Sequence, residues 1–206
     1  MGDDWYDLSN LKHFWVAHRF RVLRHIARKH DIFRPNLRFA DIGCGHGLLQ
    51  AQLKNSYNIV ADGYDLNHTA LANSIAISNP ICFYNINERH EDLKQADDVI
   101  FLFDVIEHLE DPAYFLESVK YHLKPDGLLV VNVPAEQWLF SRYDEVVGHF
   151  RRYTMKTLNN LLEHCGFTLI TGTYWGLFLH TTAPCSQACP SIATQIYRCR
   201  YHRLGV

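Results

Sequence analysis

A glycine-rich segment, Asp41-Ile-Gly43-Cys-Gly45-His-Gly47, most constrains what this chain can fold into, because it follows a short apolar run and precedes a helical pattern. Glycines at these positions allow a sharp turn and let a ligand approach the backbone closely. Free N–H groups at the start of the following helix favour a negative or polar ligand group. The spacing is G-x-G-x-G with Leu48 next, which differs from the G-x-G-x-x-G pattern of dinucleotide-binding proteins. The segment therefore predicts a nucleotide-like ligand and argues against NAD.

Short apolar segments alternate with helical patterns along most of the chain and predict its fold class. The predicted strands cover residues 38–42, 58–64, 81–84, 98–103, 128–133 and 167–174. The predicted helices cover residues 9–30, 48–54, 67–77, 112–123 and 154–165, with Asn67 and Asp111 as helix caps. Strands that are apolar on both faces are typical of parallel sheets covered by helices. We therefore expect an α/β fold, a doubly wound, mostly parallel sheet in three layers with about five parallel strands.

The composition places the chain in the globular class and leaves its oligomeric state open. A length of 206 residues favours a single domain, and 48% hydrophobic with 20% charged residues is close to the globular average. The net charge of −2 provides no bulk positive field for nucleic acid. No apolar run reaches the roughly 18 residues of a membrane-spanning helix. The acidic start and the expected free thiols indicate a cytoplasmic protein.

The two ends of the chain differ from its centre. Residues 1–35 contain an amphipathic helix with a basic face, which is either a solvated surface or a lid over a cofactor; we assign them to an N-terminal helical lid segment. Residues 36–175 form the central domain. Residues 176–206 contain three of the six cysteines and no clear period, so we treat them as an atypical tail, without an assigned strand, whose order is left open. Cys185 and Cys189 in this tail lack the usual spacing of a zinc site.

Acidic residues after the second and third predicted strands strengthen the nucleotide hypothesis. Asp65 ends the second strand about 20 residues after Gly43, where a carboxylate accepts hydrogen bonds from both ribose hydroxyls. Its alternative role is that of a helix cap. The segment Glu91-Asp92-Leu93 lies in the loop after the third strand, where an acid is able to meet the exocyclic amine of adenine. Its alternative role is that of a solvated loop acid.

The ordered set of these motifs resembles the class I S-adenosylmethionine-dependent methyltransferases over about residues 36–174. The set consists of the glycine segment, Asp65, Asp92, Phe103-Asp-Val-Ile-Glu-His-Leu-Glu-Asp-Pro112 and Leu123-Lys-Pro-Asp-Gly127. The resemblance implies S-adenosylmethionine as the cofactor and S-adenosylhomocysteine as the product. The cofactor-binding residues that it implies are Asp41, Gly43, Gly45, Gly47, Asp65, Leu66, Asp92, Leu93 and Phe103. The glycines would pass under the methionine part and the ribose, and Phe103 would lie near the transferred methyl group.

The residues after the fourth strand indicate the kind of methyl acceptor. The sequence from Phe103 to His108 resembles that of small-molecule methyltransferases, including the ubiquinone-biosynthesis O-methyltransferases. This resemblance implies a small-molecule acceptor and favours an oxygen nucleophile. Asp104, Glu107 and His108 would share one face of a helix, and some relatives with a Glu-x-x-Glu-His pattern hold a divalent metal. The alternative, packing and capping at a helix start with no metal, is the one that we expect.

A second segment, from Tyr143 to Thr154, follows the fifth strand on the side where this fold builds its substrate pocket. It resembles a subset of poorly characterised bacterial-type methyltransferases that share a Gly-His-x-Arg-Arg-Tyr-Thr sequence. The same subset carries a His-Phe-Trp sequence near the N-terminus, which here ends at Trp15 and is expected to contact substrate. His149 is the predicted general base, because the pKa of an unperturbed histidine lies near 6.5, and His108 is the second candidate.

The arginine pair that follows His149 has two interpretations. In the first, Arg151 and Arg152 hold a carboxylate or phosphate of the substrate through bidentate hydrogen bonds, and Tyr153 lines the pocket. In the second, the arginines form salt bridges to Asp144 and Glu145 and only fix the loop. The site prediction takes the first interpretation.

Three function classes are consistent with these motifs. The first is in-line transfer of a sulfonium methyl group to a small-molecule acceptor, for which the protein supplies positioning and excludes water. The second is a cofactor-binding, non-catalytic subunit that stabilises a partner, which the atypical tail suggests. The third is an NAD-dependent oxidoreductase, which the glycine spacing disfavours. The prediction is an active S-adenosylmethionine-dependent methyltransferase.

Overall fold

The computed structural model describes residue 11 and residues 13–76, 79–176 and 192–200. Residues 9, 10 and 12 of the predicted N-terminal helix and the cysteines at 185 and 189 lie outside the described residues. None of the helices within these ranges combines the length and the apolar composition that crossing a membrane requires.

A seven-stranded sheet, counted over the described residues, forms the centre of the molecule. Its strands are β1 (Phe39–Ile42), β2 (Ala61–Asp65), β3 (Ile81–Phe83), β4 (Asp97–Phe103), β5 (Leu123–Pro134), β6 (Phe167–Trp175) and β7 (Ile192–Cys199). The order across the sheet is β3-β2-β1-β4-β5-β7-β6, and the pairs among the first five strands are parallel. β7 runs antiparallel to both β5 and β6. The prediction of a mostly parallel sheet is confirmed.

Helices cover both faces of the sheet. They are α1 (Phe14–Lys29), α2 (Leu48–Tyr57), α3 (His68–Ala72), α4 (Pro112–His122), α5 (Arg142–Val147) and α6 (Met155–His164). Short 3₁₀ turns cover Ile86–Glu88, Glu91–Leu93, Ile106–His108 and Gln137–Leu139. The predicted caps are confirmed, because Asn67 accepts a hydrogen bond from the Ala70 N–H at 3.1 Å and Asp111 accepts from two N–H groups of α4.

Alternate residues of β4 face opposite sides of the sheet and separate the three layers. Val99 and Phe101 pack in one apolar cluster with residues of α1 and α2. Ile100 and Leu102 pack in the other cluster with residues of α4 and α6. All four side chains are fully buried. β4 is apolar on both faces because helices cover both of them, which confirms the doubly wound arrangement.

β7 is the main departure from the sequence prediction, which assigned no strand to residues 176–206. The strand is buried along its whole length except at Arg198, and it lies in the sheet between β5 and β6. Polar Thr194 and Gln195 lie in its middle and break the apolar run that identifies a buried strand. Both polar side chains form hydrogen bonds inside the protein, and this pairing makes their burial favourable.

The helix after β2 is shorter than predicted. α3 ends at Ala72 rather than at Ile77, which itself lies outside the described residues. The chain after Ala72 turns towards the glycine segment, where the Ile75 N–H donates a hydrogen bond to the His46 carbonyl at 2.9 Å. This tertiary contact replaces the hydrogen bonds that a longer helix would form.

Candidate functional site

The glycine segment crosses the edge of the sheet at which β1, β2 and β4 end. Gly43 and Gly47 have φ angles of 77° and 88°, which side-chain-bearing residues rarely adopt. A Cβ atom on Gly43 would lie 2.4 Å from Val105 Cγ2, and one on Gly47 would lie 2.4 Å from the Cβ of Ala76. Both positions therefore require glycine for backbone conformation and for close packing.

Asp65 holds the glycine segment from the neighbouring strand. Its Oδ2 atom accepts a hydrogen bond from the Gly45 N–H at 2.7 Å, and its Oδ1 atom accepts one from the Asn67 N–H at 2.8 Å. Asp65 also lines a cavity of about 650 Å³ at this edge of the sheet. The structure thus places the carboxylate where the sequence expects ribose binding, and that role stays a prediction.

The cavity brings together eight of the predicted site residues. They are Trp15, Asp41, Gly43, Gly45, Asp65, Leu66, Phe103 and His108. α1 contributes Trp15, Val16 and Arg19 to the wall, which supports the lid interpretation of the N-terminal helix over that of a wholly solvated basic face. The remaining predicted residues lie outside the cavity wall: Gly47, Asp92, Leu93, His149, Arg151, Arg152 and Tyr153.

The predicted adenine contacts, Asp92 and Leu93, lie outside the cavity wall. Both residues belong to the 3₁₀ turn Glu91–Leu93 rather than to an open loop. Asp92 is exposed, and its N–H lies 3.4 Å from His90 Nδ1. Leu93 packs against the apolar cluster beneath α4. The turn therefore leaves Asp92 exposed and Leu93 half-buried, and their contact with adenine stays a prediction.

Arg19 and Asp104 are cavity residues that the sequence prediction did not assign to cofactor binding. Arg19 Nη1 lies 2.6 Å from Asp104 Oδ2, and its guanidinium stands 5.1 Å from the centre of the Phe103 ring. Arg19 follows Trp15 by one helical turn, so both side chains share one face of α1. A lone arginine on the inner face of a basic helix is the signal that would have identified it.

Negative groups dominate the polar part of the cavity wall. Burial raises the pKa of Asp41 to about 8, although the nearby guanidinium of Arg19 opposes the rise. Asp65 and Asp104 face the same space and add to the rise in the pKa of Asp41. Because Arg19 is paired with Asp104, the carboxyl groups of Asp41 and Asp65 are left to favour a ligand that carries positive charge.

Two histidines meet beside the cavity. His149 Nδ1 lies 2.8 Å from Asp144 Oδ1, and His108 Nδ1 lies 3.1 Å from the Gly148 carbonyl oxygen. Because both partners only accept hydrogen bonds, Nδ1 carries the proton in each neutral ring and Nε2 keeps its lone pair. The ring centres are 4.7 Å apart. Burial, followed by the influence of His149, lowers the pKa of His108 to about 4.

Arg152 forms the salt bridge of the loop-fixing interpretation and lies outside the cavity wall. Its guanidinium donates two hydrogen bonds to Asp144, at 2.8 and 3.0 Å, and both side chains are buried. Burial alone would raise the pKa of Asp144, but hydrogen bonds from Arg152, His149 and the Ser141 backbone hold it below its usual value. The loop-fixing interpretation is thus confirmed for Arg152 and Asp144.

Arg151 and Tyr153 also serve the loop in this structure. Arg151 donates hydrogen bonds to the carbonyl oxygens of Leu109 and Glu110, at 3.2 and 2.9 Å. Tyr153 is buried in the apolar cluster beneath α4, where burial raises the pKa of its hydroxyl to about 12. Neither side chain belongs to the cavity wall, and their contact with substrate stays a prediction.

Glu107 lies fully buried beside the histidine pair. Among the described residues, no hydrogen-bond partner reaches either of its carboxylate oxygens. Burial, and secondarily the charge of Asp104, raises the pKa of Glu107 well above its usual value. Ligand atoms of Glu107, His108 and His149 all lie within 4.8 Å of one another, and such a donor set suits a divalent metal ion. Asp104, which the sequence groups with Glu107 and His108, is paired with Arg19 instead.

The sequence matches known proteins over much of its length. A family model described as "Methyltransferase domain" matches residues 14–171. The ubiquinone biosynthesis O-methyltransferase of Rickettsia typhi is 28% identical over 129 residues, which are 58% of this chain and 52% of that protein. The chain spans about half the length of the curated relatives it matches.

Solved structures share the fold at low sequence identity. A SAM-dependent methyltransferase from Methanosarcina mazei has a TM-score of 0.66 at 16% identity, covering 84% of this chain and 96% of that one. The [4+2]-cyclase SpnF has a TM-score of 0.70 at 14% identity, covering 93% of this chain and 85% of that one. These likenesses show a common fold, which by itself does not determine the reaction.

Proposed function

The chain belongs to the methyltransferase-domain family and uses S-adenosylmethionine, and on that premise we propose that it methylates an oxygen atom of a small molecule. Family membership corrects the NAD alternative, as the glycine spacing predicted. The acceptor class rests on the site beside the cofactor cavity. The observation that carries it is the hydrogen bond from His149 to the buried carboxylate of Asp144.

The cavity residues fit the cofactor. S-adenosylmethionine supplies a methyl group on a positively charged sulfur. Asp104 in the wall is paired with Arg19, which leaves the carboxyl groups of Asp41 and Asp65 to attract a cationic ligand. Gly43 and Gly45 line the wall with backbone that a ligand is able to approach closely.

An oxygen acceptor fits the histidine pair. A neutral hydroxyl group gains reactivity from a general base, and His149 has the geometry of one, because Asp144 fixes its Nδ1–H and leaves Nε2 free. His108 contacts His149 and lines the cavity, so His149 lies directly behind the cavity wall. The curated relatives, which are named as O-methyltransferases of ubiquinone biosynthesis, support the same acceptor atom.

In the proposed reaction the protein acts through position and proton transfer. The glycine segment and Asp65 hold the cofactor, and α1 covers the cavity from the other side through Trp15 and Arg19. His149 takes the proton of the acceptor hydroxyl at Nε2 as the oxygen attacks the methyl carbon in line with the departing sulfur. Removal of water and alignment of the two reactants supply most of the acceleration.

The test uses S-adenosylmethionine with a deuterated methyl group. The protein is incubated with a cell extract that has been divided into small-molecule, protein and RNA fractions, and the label is located by mass spectrometry. We expect the label on an oxygen of a small molecule. Label confined to protein or RNA, label on nitrogen or carbon, or tight binding of S-adenosylhomocysteine without transfer in any fraction would each contradict the proposal.

A variant pair tests the base. His149→Gln is expected to reduce kcat by roughly 10²–10⁴-fold, because the proton loses its acceptor, while S-adenosylhomocysteine binds as before. His164→Gln is the matched control, since His164 is exposed in the last turn of α6. Unchanged kcat in His149→Gln would exclude the base role.

A further inference from the structure

A chain of hydrogen bonds leads from the last strand to the cofactor cavity. The Trp175 indole Nε1–H donates to Thr194 Oγ1 at 2.8 Å, and Thr194 Oγ1 donates to Asn132 Oδ1 at 2.8 Å. The Asn132 Nδ2 atom donates to Asp104 Oδ1 at 2.9 Å. Asp104 Oδ2 receives Arg19 from the other side. We call this series, from Trp175 through Thr194 and Asn132 to Asp104, the β7 relay.

The chemistry of its members fixes the direction of the β7 relay. An indole N–H only donates, so Thr194 accepts from Trp175 and turns its own proton towards Asn132. The amide oxygen of Asn132 is thereby used, which leaves its amino group to face Asp104. Asp104 closes the relay as an acceptor of two hydrogen bonds, one from a neutral amide and one from a guanidinium.

The relay is buried, and its inner members do not touch the cavity. Asn132, Thr194 and Trp175 are at most 7% exposed, and none of them belongs to the cavity wall. Both ends of the relay nevertheless involve wall residues. One end is Asp104 itself, and at the other end the Trp175 ring packs on Trp15 with ring centres 4.7 Å apart.

α1 is therefore held at two points one turn apart. Trp15 rests on Trp175, and Arg19 is paired with Asp104. The backbone at Asp104 supports this arrangement: its φ is 57°, a left-handed conformation, and its N–H donates to the Asn132 carbonyl at 2.9 Å. Such a conformation persists in a non-glycine residue only where its surroundings fix it.

We infer that Thr194 is a positioning residue for cofactor binding, acting through Asn132 on the orientation of Asp104 and on the seating of α1 over the cavity. Thr194 provides the one hydroxyl of the relay, which accepts from Trp175 and donates to Asn132 at the same time. A side chain of equal shape without a hydroxyl breaks both bonds at once. Asp104 and Arg19 then lose their fixed orientation, although every residue of the cavity wall is retained.

The test compares Thr194→Val with Thr194→Ser, which keeps the hydroxyl. We expect Thr194→Val to weaken S-adenosylhomocysteine binding about tenfold by calorimetry, because both hydrogen bonds of the hydroxyl are lost and Asp104 is no longer held in place, and Thr194→Ser to bind within about twofold of the wild type. Leu162→Ala, in the apolar core of α6, is the control for lost stability without a lost relay. Equal affinity in Thr194→Val and wild type, or weakening by Leu162→Ala to the same degree, would overturn the inference.

A double-mutant cycle tests the connection between Thr194 and Asp104, and the milder variant Trp175→Phe keeps the inference testable if Thr194→Val folds poorly. Once Asp104→Asn has removed the charge at the end of the relay, Thr194→Val should cause little further loss of affinity, since the two residues act in series. Trp175→Phe removes the N–H donor and shortens the ring system, but it retains an aromatic ring against Trp15 and leaves the Thr194–Asn132 bond in place, so it should weaken binding less than Thr194→Val. Full additivity in the cycle, or a larger loss in Trp175→Phe, would contradict the relay.

Discussion

The two sides of the site are built from different material. The glycine wall, residues 41–49 with 65–69, is mainly backbone: Gly43 and Gly47 adopt positive φ angles, and Asp65 accepts from two backbone N–H groups. The acceptor-side loop, residues 136–154, is held by side chains, because Asp144 accepts from both Arg152 and His149. A backbone wall leaves a short motif in the sequence. A side-chain network leaves residues whose roles depend on where the fold places them.

The same residue type consequently has opposite meanings on the two sides. Arg19 lies on a surface-type helix yet reaches the cavity, whereas Arg152 belongs to a motif typical of ligand binding yet is buried against Asp144. The difference follows from charge burial. A buried guanidinium is stabilised by a buried carboxylate, and Arg152, which is buried in this way, does not belong to the cavity wall.

The largest effect is expected in the acceptor-side loop. Asp144→Ala removes the shared partner of Arg152 and His149 and leaves the buried guanidinium uncompensated, so it should cost about 3–5 kcal/mol of unfolding free energy. Glu145→Ala, at the next and exposed position, should leave the unfolding free energy nearly unchanged. Chemical denaturation of both variants measures the difference. Similar losses in the two would mean that the loop does not depend on this ion pair.

An intermediate effect is expected in the glycine wall. Asp65→Ala should weaken S-adenosylhomocysteine binding by about 10- to 100-fold, since hydrogen bonds to a charged group contribute about 1.5–3 kcal/mol. Asp92→Ala should leave the affinity unchanged, because Asp92 is exposed and lies outside the cavity wall. Calorimetry measures the affinity of both variants. A loss of affinity in Asp92→Ala as well would contradict this expectation and support the adenine contact predicted for Asp92.

The smallest effect is a pH dependence of cofactor binding. The pKa of Asp41 in the free protein is about 8, and a cationic ligand favours the ionised carboxylate, so binding should release a proton. Affinity for S-adenosylmethionine should therefore rise with pH up to about 8, and be about tenfold lower at pH 7 than at pH 9. The affinity of wild type relative to Asp41→Asn, measured at each pH, isolates this group. A ratio that stays constant with pH would refute it.

Local signals in the sequence predicted the glycine wall well. Asn67 and Asp111 precede their helices by one residue, where a short polar side chain caps the first turn. Gly43 and Gly47 mark backbone that no other residue could follow. These features depend on neighbours within a few residues, so the sequence contains most of the information needed to identify them.

The remaining features depend on distant segments. Arg152 could have bound a substrate, Asp144 or Glu145, and only the fold of the loop decides among them. β7 was not predicted because Thr194 and Gln195 are residue types of exposed positions. In the fold, Thr194 donates a hydrogen bond to Asn132 on β5, and Gln195 donates one to the carbonyl of Met155, the first residue of α6. The glycine wall could thus be located to residue level from the sequence, and the loop of residues 136–154 only as a segment.

The position of β7 between β5 and β6 also sets an order of folding. β6 pairs with β7 and has no ladder with β5, so it cannot join the sheet before β7 arrives. Until residues 192–199 have left the ribosome, β5 keeps an open edge of unpaired N–H and C=O groups. The β1–β5 core is able to form during synthesis, whereas the hydrogen bonds of Thr194 with Trp175 and Asn132 wait for β7. Chaperones and proteases therefore meet a sheet whose β5 edge stays open until β7 pairs with it.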